Sequence, residues 1–187
     1  NHADLQKQFK TSSLHGQTKD AFSKMQVGAW RYDIVEAGFK CNMTDLQAAI
    51  GLVELERYEE TLTKRKYIFD FYSKRLKQYK WANIPVYETA DKTSSYHLYL
   101  LRIIDCSEEQ RNLIIQKISE KQVAVNVHYL PLPMLSYYKQ LNYNIADYPE
   151  AYNNYKAEIS LPVWFNLTDE QLETVASTVI KAVEEVL

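Results

Sequence analysis

Three times in this chain a hydroxyl residue stands three positions before a glutamine at the head of an amphipathic run: Thr44 and Gln47, Ser107 and Gln110, Thr168 and Gln171. At that spacing the hydroxyl accepts the glutamine's backbone N–H, and the glutamine side chain reaches back to the N–H of the hydroxyl residue. Two donors that a helix start would otherwise leave orphaned are thereby satisfied. Each pair predicts a helix start. After Thr44, Leu46, Ala49, Ile50, Val53, Leu62, Phe69, Tyr72 and Leu76 recur at helical spacing to about residue 79. That predicts one long helix or two near-collinear ones, kinked near Tyr58, Glu59 and Glu60, since an unbroken run of this length is unusual in globular proteins. Leu113, Ile114 and Ile118 continue the second start, and Leu172, Val175, Val179 and Val183 the third.

Between these helices lie three strand candidates, residues 95–105, 123–128 and 159–163, rich in Tyr, Leu, Ile and Val. His97 falls in the first. The second ends at His128 and Tyr129, where Pro131 and Pro133 stop it. Asp147 ahead of Pro149 reads as a further helix start, running to about residue 158. The expected fold class is α/β, with an α+β small domain. The first 43 residues differ from the rest. Helices are plausible over 3–10 and 18–25, but Gly16, Gly28 and Gly38 interrupt the stretch, and the aromatic run at Trp30 and Tyr32 has no clear period. Such a region must pack against something or form a functional loop.

Composition removes several function classes. Among 187 residues, 22 Lys+Arg against 24 Asp+Glu leave a net charge of -2, which argues against nucleic-acid binding by phosphate neutralisation. No run approaches the length of a membrane span and no leader pattern opens the chain, so we expect a cytoplasmic protein with no membrane partner. The start at Asn1, without Met, reads as a piece of something longer. Cys41 and Cys106 form no ligand pair, and neither HExxH nor CxxC occurs, so no metal site is expected. Four glycines, at 16, 28, 38 and 51, cannot write a dinucleotide fingerprint or a Walker loop.

What remains is a set of single polar residues on well-defined elements. His97 reads first as a hydrogen-bonded histidine beside a sheet. His128 and Tyr129 sit at a strand end entering a Pro-bounded loop, a usual place for ligand contacts. Lys40 and Asn42, with Cys41 between them, precede the Thr44 helix start, where a cation, an amide and free N–H groups suit an anion. On spacing alone that segment reads as a solvated loop first.

The stretch GFKCNMTDLQAAIGL over residues 38–52, followed by LERYEETLTKRKYIFDFYSKRL, resembles the signature of the DegT/StrS-type sugar aminotransferases, pyridoxal-phosphate enzymes of fold type I. Further matches follow in order: LHGQTKDA, WRYDIVEAGF, SSYHLYLLRI, VNVHYLPLP and SLPVWFNLTDEQ, together covering essentially the whole chain. The resemblance implies the C-terminal half of such an enzyme: a remnant of the large domain with an active-site-reaching loop over 1–43, a long connecting helix over 44–80, and the small C-terminal domain over 81–187. It implies transfer of an amino group from an amino acid, glutamate first, to a nucleotide-linked keto-sugar in surface polysaccharide synthesis. No lysine here stands in the family's Schiff-base motif, so no catalytic residue is assigned, and the chain alone is expected to be inactive and to bind no pyridoxal phosphate. By the same resemblance Lys40 and Asn42 reach a neighbouring subunit's cofactor phosphate, while Trp30, Tyr32, His97, His128 and Tyr129 contact substrate. The implied partners are a second copy, docked through exposed apolar and aromatic surface, and the missing N-terminal half. Cys41, Pro133 and Asn142 depart from the family's common Tyr, His and Gly. The other reading is a non-catalytic fragment acting only as a dimerisation or binding module.

Overall fold

Hydroxyl–glutamine pairing closes all three expected helix starts. In the computed structural model, Gln47 N donates to Thr44 Oγ1 at 3.3 Å and Thr44 N to Gln47 Oε1 at 3.0 Å. The corresponding pairs are 3.2 and 2.9 Å at Ser107 and Gln110 and 3.2 and 3.0 Å at Thr168 and Gln171. The structure describes residues 2–18, 33–41 and 43–187. In chain order the elements are α1 (Ala3–Ser12), α2 (Asp45–Glu56), α3 (Tyr58–Leu76), β1 (Ala82–Asn83), β2 (Tyr99–Ile103), α4 (Glu108–Glu120), α5 (Ser136–Gln140), α6 (Pro149–Lys156), β3 (Glu158–Leu161) and α7 (Asp169–Glu184), with short 3-10 turns at Leu132–Met134 and Ile145–Asp147. The long run after Thr44 is two helices, with the break at Arg57, and it is here that the chain divides into two units, Asn1–Arg57 and Tyr58–Leu187.

In the first unit, α1 is followed by a short antiparallel pairing in which Leu14 bridges Lys40 and Gln17 bridges Ile34. The approach is so close that two glycines are required. Gly16 has φ +74°, and a Cβ there would lie 2.0 Å from the Glu36 carbonyl oxygen; a Cβ on Gly38 would lie 2.3 Å from Gly16 N. α2 buries none of its residues, although Leu46, Ile50, Leu52, Val53 and Leu55 are all apolar. The expected helix over 18–25 lies, apart from Thr18, outside the described residues.

The second unit is organised by a three-stranded antiparallel sheet in the order β1-β2-β3. Ala82 pairs with Ile103 on one side of β2, and Tyr99 with Leu161, Leu101 with Ile159 and Arg102 with Glu158 on the other. Side chains alternate between faces along a strand, so Tyr99, Leu101 and Ile103 enter the core while Leu100 and Arg102 face away. The core is completed by Ile68, Phe69, Tyr72 and Leu76 of α3, Ile114 and Ile118 of α4, and the buried stripe of α7 from Leu172 to Val183. α7 packs on both α3 and α4. Phe69 is the aromatic hub, meeting Tyr87, Tyr96 and Tyr99 edge-on at 5.0–5.4 Å between centroids. The second unit thus sets helices against a small antiparallel sheet, the α+β arrangement expected from the element order after residue 90.

Two strand expectations are corrected. Residues 94–98, His97 among them, are not strand: Tyr96 takes φ +52° and its N–H donates to Ser94 Oγ at 3.0 Å, so β2 begins only at Tyr99. Residues 123–128 meet β3 at one bridge, Asn126 with Ser160. There the ladder stops, because the next donors turn to side chains: Val127 N to Asn126 Oδ1 at 2.8 Å and His128 N to Glu158 Oε2 at 2.9 Å. Because Leu101 is fully buried at the centre of this core, Leu101→Ala is expected to lower unfolding stability by about 2–5 kcal/mol, measured by denaturant unfolding with an unchanged slope.

Candidate functional site

The face of the sheet turned away from the core helices carries a polar cluster. Glu158 and Ser160 lie two apart on β3, so they share this face with their cross-strand partners Arg102 and Leu100. All four β3 residues are buried, and two of them are polar. Such groups must be paired to be tolerated. Ser160 Oγ donates to Glu158 Oε1, His128 N donates to Glu158 Oε2 at 2.9 Å, and His128 Nδ1 lies 2.7 Å from Ser160 Oγ. Burial holds the Glu158 carboxyl above its ordinary value; the hydrogen bonds from Ser160 and His128, and the charges of His128 and Arg111, oppose that rise.

Arg111 fixes where this cluster stands. It is 1 % exposed, and its Nη1 donates to the Tyr155 carbonyl at 3.0 Å and to the Glu158 carbonyl at 3.1 Å. Its guanidinium also lies 4.7 Å from the centroid of the Tyr155 ring. One α4 side chain therefore ties down the turn from α6 into β3. The Tyr152 and Tyr155 hydroxyls donate to Glu108, at 3.1 and 2.9 Å, and the Arg111 guanidinium lies 3.9 Å from the same carboxylate.

Beside the cluster a cavity of about 590 Å³ opens, with Arg102, His128, Tyr129, Asn154, Tyr155 and Glu158 in its wall. Val86 and Leu100 give it an apolar side. Arg102 donates to Asn154 Oδ1. Tyr129 is 72 % exposed and meets the His128 ring edge-on at 4.6 Å, so its ring is open to a ligand face. This mix of apolar wall and a few convergent polar groups is typical of small-molecule sites.

Of the residues singled out in the sequence, the structure brings His128 and Tyr129 together in this cavity. His97 is exposed and is not part of its wall. Lys40 is exposed in the first unit, placed by its bridge to Leu14. Trp30, Tyr32 and Asn42 lie outside the described residues. Sequence reasoning missed Glu158, Ser160, Arg102 and Arg111. Counting the third strand from Ile159 cut off Glu158; the polar–apolar alternation Glu158, Ile159, Ser160, Leu161 was the available signal.

Among the described residues no group of side chains is arranged to hold a metal ion, and no helix is long and apolar enough to cross a membrane. The architecture is that of pyridoxal-phosphate-dependent transferases of fold type I. More narrowly, the chain belongs to the DegT/DnrJ/EryC1/StrS aminotransferase family, which it matches over residues 1–180. It is similar to a protein of Streptococcus pneumoniae described as a sugar aminotransferase and solved in its PMP form, with 43% identity and a TM-score of 0.85 over 100% of this chain and 47% of that one. It is also similar to the spore coat polysaccharide biosynthesis protein SpsC of Bacillus subtilis, 31% identical over 180 residues, 94% of this chain and 46% of that protein. A third relative, the UDP-4-amino-4,6-dideoxy-N-acetyl-beta-L-altrosamine transaminase of Campylobacter jejuni, is 28% identical over 187 residues, 100% of this chain and 47% of that protein. The chain spans about half the length of the curated relatives it matches.

The family depends on pyridoxal phosphate, and the Streptococcus pneumoniae protein is also known in its PLP form. Among the described residues no lysine is buried, and none lines the His128 cavity. The groups gathered in that cavity therefore do not fit covalent anchoring of this cofactor, and their chemistry is that of binding and orienting a polar ligand.

The raised Glu158 pKa has a consequence for stability. The unfolded chain releases this proton near the ordinary value of 4.5, while the native chain holds it to higher pH. Stability from this group is therefore lost as pH rises through that window. Glu158→Gln removes the titration, so the wild-type stability minus that of the variant is expected to be larger near pH 4 than near pH 7 in denaturant unfolding.

Proposed function

We propose that this chain is the C-terminal part of an enzyme that transfers an amino group from an amino acid, glutamate first, to a nucleotide-linked keto-sugar used in surface polysaccharide. The observation that carries this reading is the family match over residues 1–180. Relatives described as a sugar aminotransferase, a UDP-sugar transaminase and a spore coat polysaccharide protein support it. In this reading residues 1–43 end the large domain, 44–80 connect, and 81–187 form the small domain. His128 and Tyr129 hold the sugar; the family resemblance assigns Trp30, Tyr32 and His97 to substrate as well, His97 from outside the His128 cavity, while Lys40 and Asn42 serve the cofactor phosphate of a neighbouring subunit.

The Schiff-base lysine is supplied outside these 187 residues, and the chain by itself does not transaminate. Transamination needs that amine to hold the cofactor and to move a proton. Purified chain mixed with pyridoxal phosphate is expected to give no discrete protein-bound absorbance band, no single lysine trapped by borohydride, and no turnover. One stoichiometrically modified lysine, or sustained turnover, overturns the assignment.

The second reading, a non-catalytic dimerisation module, has one observation in its favour. α2 is apolar on several sides, yet Leu46 and Ile50 are 79% and 69% exposed. A helix with this pattern is normally covered. Both readings call for a second copy docked through exposed apolar surface, and the α2 face offers such a surface. Sedimentation velocity is expected to show concentration-dependent association that Ile50→Glu weakens by tenfold or more; a strictly monomeric wild type would contradict it.

A further inference from the structure

Ser160 has one hydroxyl proton and two neighbours that compete for it. Its Oγ contacts Glu158 Oε1 on one side and His128 Nδ1, at 2.7 Å, on the other. An ionised carboxylate can only accept, so the serine proton goes to Glu158. The remaining contact then runs from His128 Nδ1–H to the serine oxygen, because two bare acceptors at that distance would repel. A neutral imidazole carries one N–H. Nε2 is thereby left as a lone pair. The same carboxylate also accepts the His128 backbone N–H at 2.9 Å, so Glu158 holds this residue twice, directly by its main chain and through Ser160 by its ring.

The relay is that of the ionised Glu158: burial raises this carboxyl's pKa, and the hydrogen bonds from Ser160 and His128 and the Arg111 charge oppose that rise. From α4, Arg111 places its guanidinium on the Glu158 carbonyl at 3.1 Å. From β2, Arg102 stands opposite Glu158 in the register and donates to Asn154. From α6, the Tyr155 hydroxyl is engaged by Glu108, and burial together with that carboxylate pushes its pKa up, so it stays neutral. No second acid among these groups supplies a proton to the relay.

We propose that Glu158 and Ser160 are positioning residues that fix His128 in its Nδ1–H tautomer and leave Nε2 as a hydrogen-bond acceptor in the cavity. This subsite then takes a ligand group that donates, a hydroxyl or an N–H, and disfavours a phosphate or carboxylate oxygen while the ring is neutral. The tautomer assignment stands on the hydrogen-bond geometry alone; naming a sugar hydroxyl as the donor rests on the function proposed above. A histidine held this way distinguishes the sugar part of a nucleotide-linked ligand from its diphosphate.

The test is long-range proton–nitrogen NMR on the 15N-labelled chain at mildly alkaline pH, with His128→Gln assigning the ring. The expected wild-type spectrum has a protonated, pyrrole-type Nδ1 and a bare, pyridine-type Nε2. Ser160→Ala is expected to move both nitrogens toward averaged values, and Ser160→Thr, which keeps the hydroxyl, to restore the wild-type pattern. A protonated Nε2 or averaged nitrogens in the wild type overturn the assignment, even where the alanine variant does not fold. An unchanged pattern in folded Ser160→Ala overturns the positioning role. UDP-N-acetylglucosamine is expected to shift Nε2 more than Nδ1, and UDP alone to leave Nε2 in place. An equal shift by UDP, or none by either, overturns the donor-ligand assignment and leaves the tautomer readout to stand separately.

Discussion

The second unit depends on one buried cation. Arg111 projects from α4 under the sheet edge and takes the carbonyls of Tyr155 and Glu158 as its partners. These two groups flank the point where α6 gives way to β3, so the guanidinium sets both the end of the helix and the entry of the strand. A buried charge is tolerated only when its donors are matched and other charge lies near, and Glu108 at 3.9 Å supplies the latter. Removing Arg111 would leave the Tyr155 and Glu158 carbonyls without these donors as well as opening a space of arginine size. The position of Glu158, and through it that of His128, follows from this clamp.

From that anchor the sheet separates two jobs. Tyr99, Leu101, Ile103, Ile159 and Leu161 turn toward α3, α4 and α7 and make the core. Leu100, Arg102, Glu158 and Ser160 occupy the other face and make the cavity wall and its polar support. The antiparallel register couples the two faces, since a slip by one residue would exchange every side chain between them. Core packing therefore enforces the geometry of the polar cluster. The isolated bridge at Asn126 shows how the third segment adapts: it pairs once with Ser160, and its later donors are taken by side chains, which turns His128 and Tyr129 out into the cavity.

Much of the local structure was legible because its causes are local. Thr44, Ser107 and Thr168 open helices with the glutamines three residues on, and those contacts need nothing from the rest of the chain. Gly16 and Gly38 marked an irregular region, but the pairing that requires them joins residues far apart in sequence. His128 and Tyr129 stood out by their place before Pro131. Their support did not, because Glu158 and Ser160 lie thirty residues or more away. Arg111 read as one more polar residue on an amphipathic helix, and only packing makes it a buried one.

By itself, then, the sequence determined the helix starts, the apolar stripes that become the core, the absence of a glycine-rich phosphate loop, and the family resemblance carried by its ordered motifs. Each of these is a property of neighbouring residues or of composition. The tertiary structure decided which strand candidate remains a strand, which face of the sheet receives the cavity, and which polar residues hold His128. Those outcomes depend on hydrogen-bond competition between groups distant in the chain. The donor at His128 N goes to a carboxylate from another strand rather than to a ladder carbonyl, and no local propensity contains that choice.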